Sequence, residues 1–447
     1  MIKKHAFLVF VLLFHSSCFC QQTLVKNDSA KTDSVTDYYI PNAIMRYEDM
    51  VYDKNIKSVQ LHNEQFELSQ PLLQLGSDAR LQLSFDDLSG NLKNYSFTFI
   101  HCNANWQPSK LMPIEYIDGY QEIEITDFNY SENTLQKYIH YNAYIPSQYT
   151  RITKSGNYIL KVYDRDAPDQ PVITKRLLFF TPKIMVTAQE KAASIVADRN
   201  FKQEIDFIIN KGQYTINDPF EDLKVVILQN NRWDNASKNL KPTFIKDTQL
   251  VYNYDEENVF TGGSEFRAFD TKSLKYKAEH VAKIRVDSSR TGTDVFLLPD
   301  EKRTYIKYTS GNDINGNFVI RTIDGNGDSA INADYCYVHF FLSYNEVLTN
   351  GNLYVFGAFN GWKCTKENLM KYNAERMGYE AVLLLKQGYY NYEYGFLENG
   401  KTAVDDTLIE GMHSETENEY TIYVYYRQQG AYYDQLIGIE HINSAKN

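Results

Sequence analysis

Arg80-Leu81-Gln82-Leu83-Ser84-Phe85 carries an apolar side chain at every second position. Successive side chains of a β-strand point to opposite faces, so this stretch makes a ribbon with one buried face. Tyr95-Ser96-Phe97-Thr98-Phe99 repeats the pattern, and Tyr158-Ile159-Leu160-Lys161-Val162-Tyr163 continues it. Ser89-Gly90-Asn91 and Ser155-Gly156-Asn157 are turn sequences beside these runs. With a closing strand over 172–180, they predict an N-terminal β-sandwich over residues 46–183.

The same reading extends toward the C-terminus. Ile205-Asp206-Phe207-Ile208-Ile209, Leu223-Lys224-Val225-Val226-Ile227-Leu228 and Leu250-Val251-Tyr252-Asn253-Tyr254 read as strands. So do 281–286, 304–308, 318–323 and 335–343. Asn315-Gly316 and Asp324-Gly325-Asn326-Gly327 are hairpin-turn sequences. These define a middle β-rich domain over 184–345. Strands at 352–356, 379–385, 390–396 and 419–426 define a C-terminal immunoglobulin-like domain over 346–447. The best helix candidate is 188–200. The expected fold class is all-β, with tandem immunoglobulin-like β-sandwich domains.

The chain has 447 residues, enough for two to four domains. Hydrophobic residues at 43% and charged residues at 23% are ordinary for a globular chain. A net charge of −11 argues against nucleic acid as the partner. Tyr is abundant, 36 against 3 Trp, which favours strands. Lys3 and Lys4, an apolar run over 6–14 and the small residues Cys18 and Cys20 predict a signal peptide over 1–20. A lipidated Cys18 is disfavoured, because His15 stands where a lipobox wants an aliphatic residue. Residues 21–45, rich in Thr, Ser, Asp and Lys, read as a flexible leader. Cleavage leaves Cys102, Cys336 and Cys364, an odd number with no C-x-x-C, so no complete disulfide framework is expected. No later run reaches the length of a membrane span.

Asp324-x-Asn326-x-Asp328 begins like a calcium loop, but Ser329 and Tyr335 stand where Gly and Glu are required. A tight hairpin is the expected reading. Gly325-x-Gly327-x-x-Ala330 has the letters of a dinucleotide fingerprint but leads into a strand-like run. His101 and Cys102 are adjacent on a strand and so point to opposite faces. Neither G-x-S-x-G, H-E-x-x-H nor a P-loop occurs. No catalytic, cofactor-binding or metal-binding residue is expected, and no enzyme activity. Gly357-Ala358-Phe359-Asn360-Gly361-Trp362 ends a strand in a turn whose Trp is either a core anchor or a platform for a sugar ring.

Residues 346–447 resemble the glycogen-binding immunoglobulin-like modules of branching enzymes and of a kinase regulatory subunit. The resemblance rests on 355–362, on Gly388-Tyr389-Tyr390-Asn391-Tyr392-Glu393-Tyr394-Gly395-Phe396, and on 418–426. It implies glycan contacts at Trp362 and Asn418. The module's Lys position falls on Gly395, and its second Trp has no counterpart in 397–402, so the fold is implied more fully than the sugar site.

Across about 44–430 the chain resembles the type IX secretion system plug proteins of Bacteroidetes, formerly a domain of unknown function. The matching runs include Arg46-Tyr47-Glu48-Asp49, Leu83-Ser84-Phe85-Asp86-Asp87-Leu88, Asp294-Val295-Phe296-Leu297-Leu298-Pro299-Asp300-Glu301, and Asp313-Ile314-Asn315-Gly316-Asn317-Phe318. The resemblance implies a periplasmic, non-enzymatic subunit, monomeric within a hetero-complex. It would close the inner mouth of the outer-membrane β-barrel translocon. Tyr389, Tyr432 and Tyr433 are the candidate partner surface, with about half of each alternating Tyr set expected in a core. The alternative is a periplasmic or surface glycan-binding protein using the C-terminal module.

Overall fold

Two sheets close over the first core. Leu81–Asp87 pairs with Ile56–Asn63 on one side and Ile139–Ile145 on the other, and Asp127–Tyr130 extends that sheet. The facing sheet is built on Gly156–Asp164, flanked by Tyr95–Cys102 and Pro171–Phe180. Alternation turns Leu81, Leu83 and Phe85 inward against Tyr95, Tyr141, Tyr158 and Leu160, all buried. Phe85 stacks on Tyr141 at 5.1 Å, and Tyr95 meets both rings edge-on. The Tyr95 hydroxyl donates to Asp87 at 2.8 Å, which satisfies its polar end inside the core. The computed structural model describes residues 44–287, 292–325 and 327–444. The expected signal peptide, Cys18, and all but the last two residues of the leader lie outside them.

The second sandwich is assembled from two separate parts of the chain. Lys202–Asn210 pairs with Met185–Ala192 and Gln249–Tyr252 in one sheet. In the facing sheet, Leu223–Gln229 pairs with Glu419–Tyr426, which in turn pairs with Gln435–Asn443. Ile205, Phe207, Val225, Ile227, Ile422 and Val424 share its core. The third sandwich lies between these parts in sequence. Gly388–Glu398 holds one sheet together, pairing with Arg267–Asp270, Phe318–Ile320 and Gly351–Phe356. Tyr335–Ser343 holds the other, between Gly292–Leu297 and Gly378–Lys386.

This pairing departs from a contiguous division at 184–345 and 346–447. Strands from 265–345 and 351–398 share one core, while 419–443 returns to the second sandwich. The cause is long-range strand pairing, which local periodicity does not encode. The expected glycogen-binding-like module at 346–447 is therefore split between two sandwiches.

Three local expectations also change. The helix candidate at 188–200 is a strand, Met185–Ala192, followed by turns. Its helix-favouring Gln189-Glu190-Lys191-Ala192 run is overridden by antiparallel pairing with 203–206. Residues 304–308 form no strand. The 324–328 turn does not join a hairpin, because Phe318–Ile320 and Tyr335–Ser343 belong to different sheets.

Candidate functional site

The three sandwiches meet at junctions where buried charges and aromatic rings concentrate. Between the first and second, the outer faces of two sheets pack through Cys102, Ile159, Leu178, Val226, Tyr423 and Tyr425. The Arg176 guanidinium lies over Trp106 at 4.6 Å and Trp233 at 5.4 Å. Asp434 accepts from the Ala104 amide at 3.0 Å, Lys224 Nζ at 2.9 Å and Arg427 Nε at 2.7 Å.

Between the first and third, Asp86 is fully buried. Its Oδ2 accepts from Lys386 Nζ and the Tyr335 hydroxyl, each at 2.6 Å, and its Oδ1 lies 2.6 Å from His140 Nδ1. Burial alone would raise this carboxyl, but the Lys386 charge and the His140 hydrogen bond hold it below its ordinary value. Asp334 accepts from the amides of Leu135 at 2.6 Å and Gln136 at 3.1 Å. Between the second and third, Arg232 Nη1 bonds Glu393 and Asp406, each at 3.0 Å.

Trp362 belongs to that last junction. It is half-buried, with Arg232 4.6 Å from its ring centroid and Phe356 edge-on at 5.3 Å. Gly316, at φ +77°, sits so close that a Cβ there would lie 2.4 Å from the ring. All three Trp residues thus lie under arginines where sandwiches join. Asn418 is 3% exposed. Its Nδ2 donates to Gln203 Oε1 and the Gly262 carbonyl, and its Oδ1 accepts from Asn230. Trp362 packs against the chain itself, and the Asn418 amide is spent within the second sandwich. The two do not form an open sugar platform.

The Tyr surplus goes mainly inside. Tyr420 and Tyr426 face the second core, and the opposite set, Tyr423 and Tyr425, is covered by the first sandwich. The expectation that half of each alternating set remains for a partner therefore does not hold for this strand. Tyr392 and Tyr394 both donate to Asp300, at 2.7 and 2.6 Å. Tyr389 is half-buried, Tyr433 is half-buried against His101, and Tyr432 is 67% exposed. The buried His101 ring contacts both Tyr433 and Tyr116 of the Pro113–Tyr116 helical turn. Met112, Ile114, Tyr120 and Tyr149 are exposed around that turn, and the last two have ring centroids 6.0 Å apart. Sequence reading missed these four, since isolated apolar residues in loops carry no periodic signal.

The remaining chemical candidates serve the fold. Asp324 accepts from Ser273 Oγ and the Leu274 amide, each at 2.6 Å, and Asp328 caps the Ser329–Asn332 helical turn. Asn326 lies outside the described residues. Burial lowers His101 to about 4 and pushes the Cys102 and Cys364 thiols up to about 12. Among the described residues, no cluster of three or more His, Cys, Asp or Glu is placed to hold a metal. None of their helices is long and apolar enough to cross a membrane.

Residues 56–181, the first sandwich, match the family described as type 9 secretion system plug protein, first domain. No curated protein matches the chain. Among solved structures, the chain is similar to a hypothetical protein from Parabacteroides merdae ATCC 43184, whose crystal structure was determined at 2.30 Å resolution. The two are 35% identical, with 90% of this chain and all of that one covered at a TM-score of 0.86. The chain belongs to the same family as that protein, and its first sandwich matches the plug-protein first domain.

Proposed function

We propose that the chain is a non-enzymatic periplasmic subunit of the type IX secretion system, closing the inner mouth of the outer-membrane β-barrel translocon at rest. The observation that carries this reading is the plug-domain match over the first sandwich. The architecture supports it on physical grounds. A stopper must hold its shape, and charge-assisted bonds at all three junctions tie the sandwiches together rather than leaving loose linkers. It also needs contact area, about 1,200–2,000 Å² for a specific complex. The exposed Met112, Ile114, Tyr120 and Tyr149 around the Pro113–Tyr116 turn offer rings and thioether of the kind enriched at interface cores.

Deleting the gene and measuring uptake of a small dye excluded by an intact outer membrane tests the sealing role. Uptake should rise and return to normal on complementation. Unchanged uptake in a strain that still assembles the translocon overturns it.

A further inference from the structure

The chain crosses between the second and third sandwiches twice. Residues 262–266 lead out, between Val259–Thr261 and Arg267–Asp270, and residues 411–418 lead back, between the Thr407–Glu410 helical turn and Glu419–Tyr426. The two crossovers run side by side. The His413 amide donates to the Gly263 carbonyl at 2.8 Å, and Asn418 Nδ2 donates to the Gly262 carbonyl at 2.8 Å. A Cβ at Gly262 would lie 1.9 Å from the His413 carbonyl oxygen, so only glycine allows this approach.

Glu265, on the outward crossover, is 8% exposed. Its Oε1 accepts from the Glu417 amide of the return crossover at 3.1 Å and from the Tyr308 hydroxyl at 2.6 Å. Its carboxyl is also hydrogen-bonded to that of Asp313. Asp313 in turn accepts from the Phe266 amide at 2.6 Å and the Asn315 amide at 2.8 Å. Ionised carboxylates only accept, so two of them hydrogen-bond to each other only when one holds a proton. The surrounding charges do not compensate the pair. Glu417 lies beside both carboxyls, and Glu415 faces Tyr308. Arg267 Nε and Arg303 Nε both bond Glu410, and Arg303 Nη2 takes the Glu265 main-chain carbonyl at 2.9 Å. The His413 ring stands against Tyr308, with centroids 5.7 Å apart. Burial raises both carboxyls above their ordinary values, and the Glu417 charge adds to it.

We propose that Glu265 and Asp313 form a proton latch on the paired crossovers: one shared proton holds the third sandwich seated on the second, and its loss loosens the seat. With the proton gone, two buried carboxylates face each other with Glu417 alongside, and the like charges push the crossovers apart. The sign follows from the raised values. Such a group gives stability that is full below its unfolded value, near 4.5 for Glu265 and 3.8 for Asp313, and lost as pH rises through the folded one. The latch therefore works opposite to the Asp86 and Asp434 joints, whose carboxyls are held below their ordinary values. The proposal stands on the crossovers alone and does not require the sealing role.

The test follows native-state hydrogen exchange of the full chain at the Phe266 and Glu417 amides from about pH 5 to about pH 9, corrected for the intrinsic pH dependence of exchange. Opening there should rise about ten-fold or more across the range, while amides of the central strand Gly156–Asp164 keep their protection. Glu265→Gln retains the acceptor oxygen without the charge, so it should hold the acid-side protection throughout, and Asp313→Asn should do the same. Infrared spectra at neutral pH should carry a protonated-carboxyl band that Glu265→Gln removes. A wild-type series that is flat with pH overturns the proposal. So does a pH dependence that survives in both variants, or an infrared band that Glu265→Gln leaves unchanged.

Discussion

Replacing one partner at a time in the Asp86–Lys386 joint should give unequal losses. Both side chains are essentially buried, at 0% and 1% exposure. Removing one member of a buried ion pair costs about 3–5 kcal/mol, because the other charge is left in a low-dielectric site. Lys386→Met leaves Asp86 with Tyr335 and His140, each still at 2.6 Å, so its cost falls near the lower figure. Asp86→Leu leaves the Lys386 ammonium with the Ala330 carbonyl at 2.6 Å and the Tyr138 and Tyr335 rings at 4.2 and 5.9 Å. It also strips the Tyr335 hydroxyl of its carboxylate, so the loss approaches about 5 kcal/mol. The double variant, with both charges gone, should be more stable than Asp86→Leu alone. Native-state hydrogen exchange reads this locally, because the Leu135 and Gln136 amides bond across the joint to Asp334. Their opening free energies should fall in the order wild type, Lys386→Met, Asp86→Leu. Equal losses, the reverse order, or losses below about 1 kcal/mol would refute the assignment of the joint to this pair.

Three further outcomes follow from other sites. Asp300 is held at about 2, as His280, Arg267 and the Tyr394 hydroxyl outweigh the upward pull of burial. A depressed folded-state value gives stability that is full above the unfolded value near 3.8 and lost as pH falls through about 2. Asp300→Asn should therefore cost about 2 kcal/mol at neutral pH and much less near pH 2; equal costs by chemical denaturation at both would contradict this. Trp362→Ala should lower stability by about 2 kcal/mol through lost packing on Arg232 and Phe356. Maltooligosaccharides should leave wild-type Trp fluorescence unchanged, whereas a saturable change would restore a sugar site. The buried Cys102 and Cys336 thiols should resist a thiol reagent at pH 8 in the native chain and react on unfolding, by mass spectrometry; rapid native labelling would contradict their placement.

The all-β class was legible because burial on one face writes itself into a two-residue period. Leu81, Leu83 and Phe85 show it, and the strands around Tyr158, Val225 and Val338 were placed within a few residues. Which strand pairs with which was not legible. Glu419–Tyr426 was found as a strand, but nothing local to it says that its neighbour is Leu223–Gln229. That single pairing turns two expected consecutive domains into one sandwich interrupted by another. The Tyr excess misled for a related reason. A strand buried on both faces, one in a core and one at a junction, needs Tyr423 and Tyr425 as much as Tyr420 and Tyr426. Trp362 was singled out by its turn sequence and Asn418 by resemblance, but their roles depend on Arg232, Gln203 and Asn230, which lie far away in sequence.

The central claim is that this chain seats on a type IX translocon. Affinity isolation of the tagged chain from gently solubilised outer membrane of a secretion-competent strain tests it most directly. The outer-membrane barrel should co-purify in specific amounts, and mutating Met112, Ile114, Tyr120 and Tyr149 together to Ser should abolish its recovery. Failure to recover the barrel, while a known translocon subunit isolated in parallel brings it down, would contradict the account.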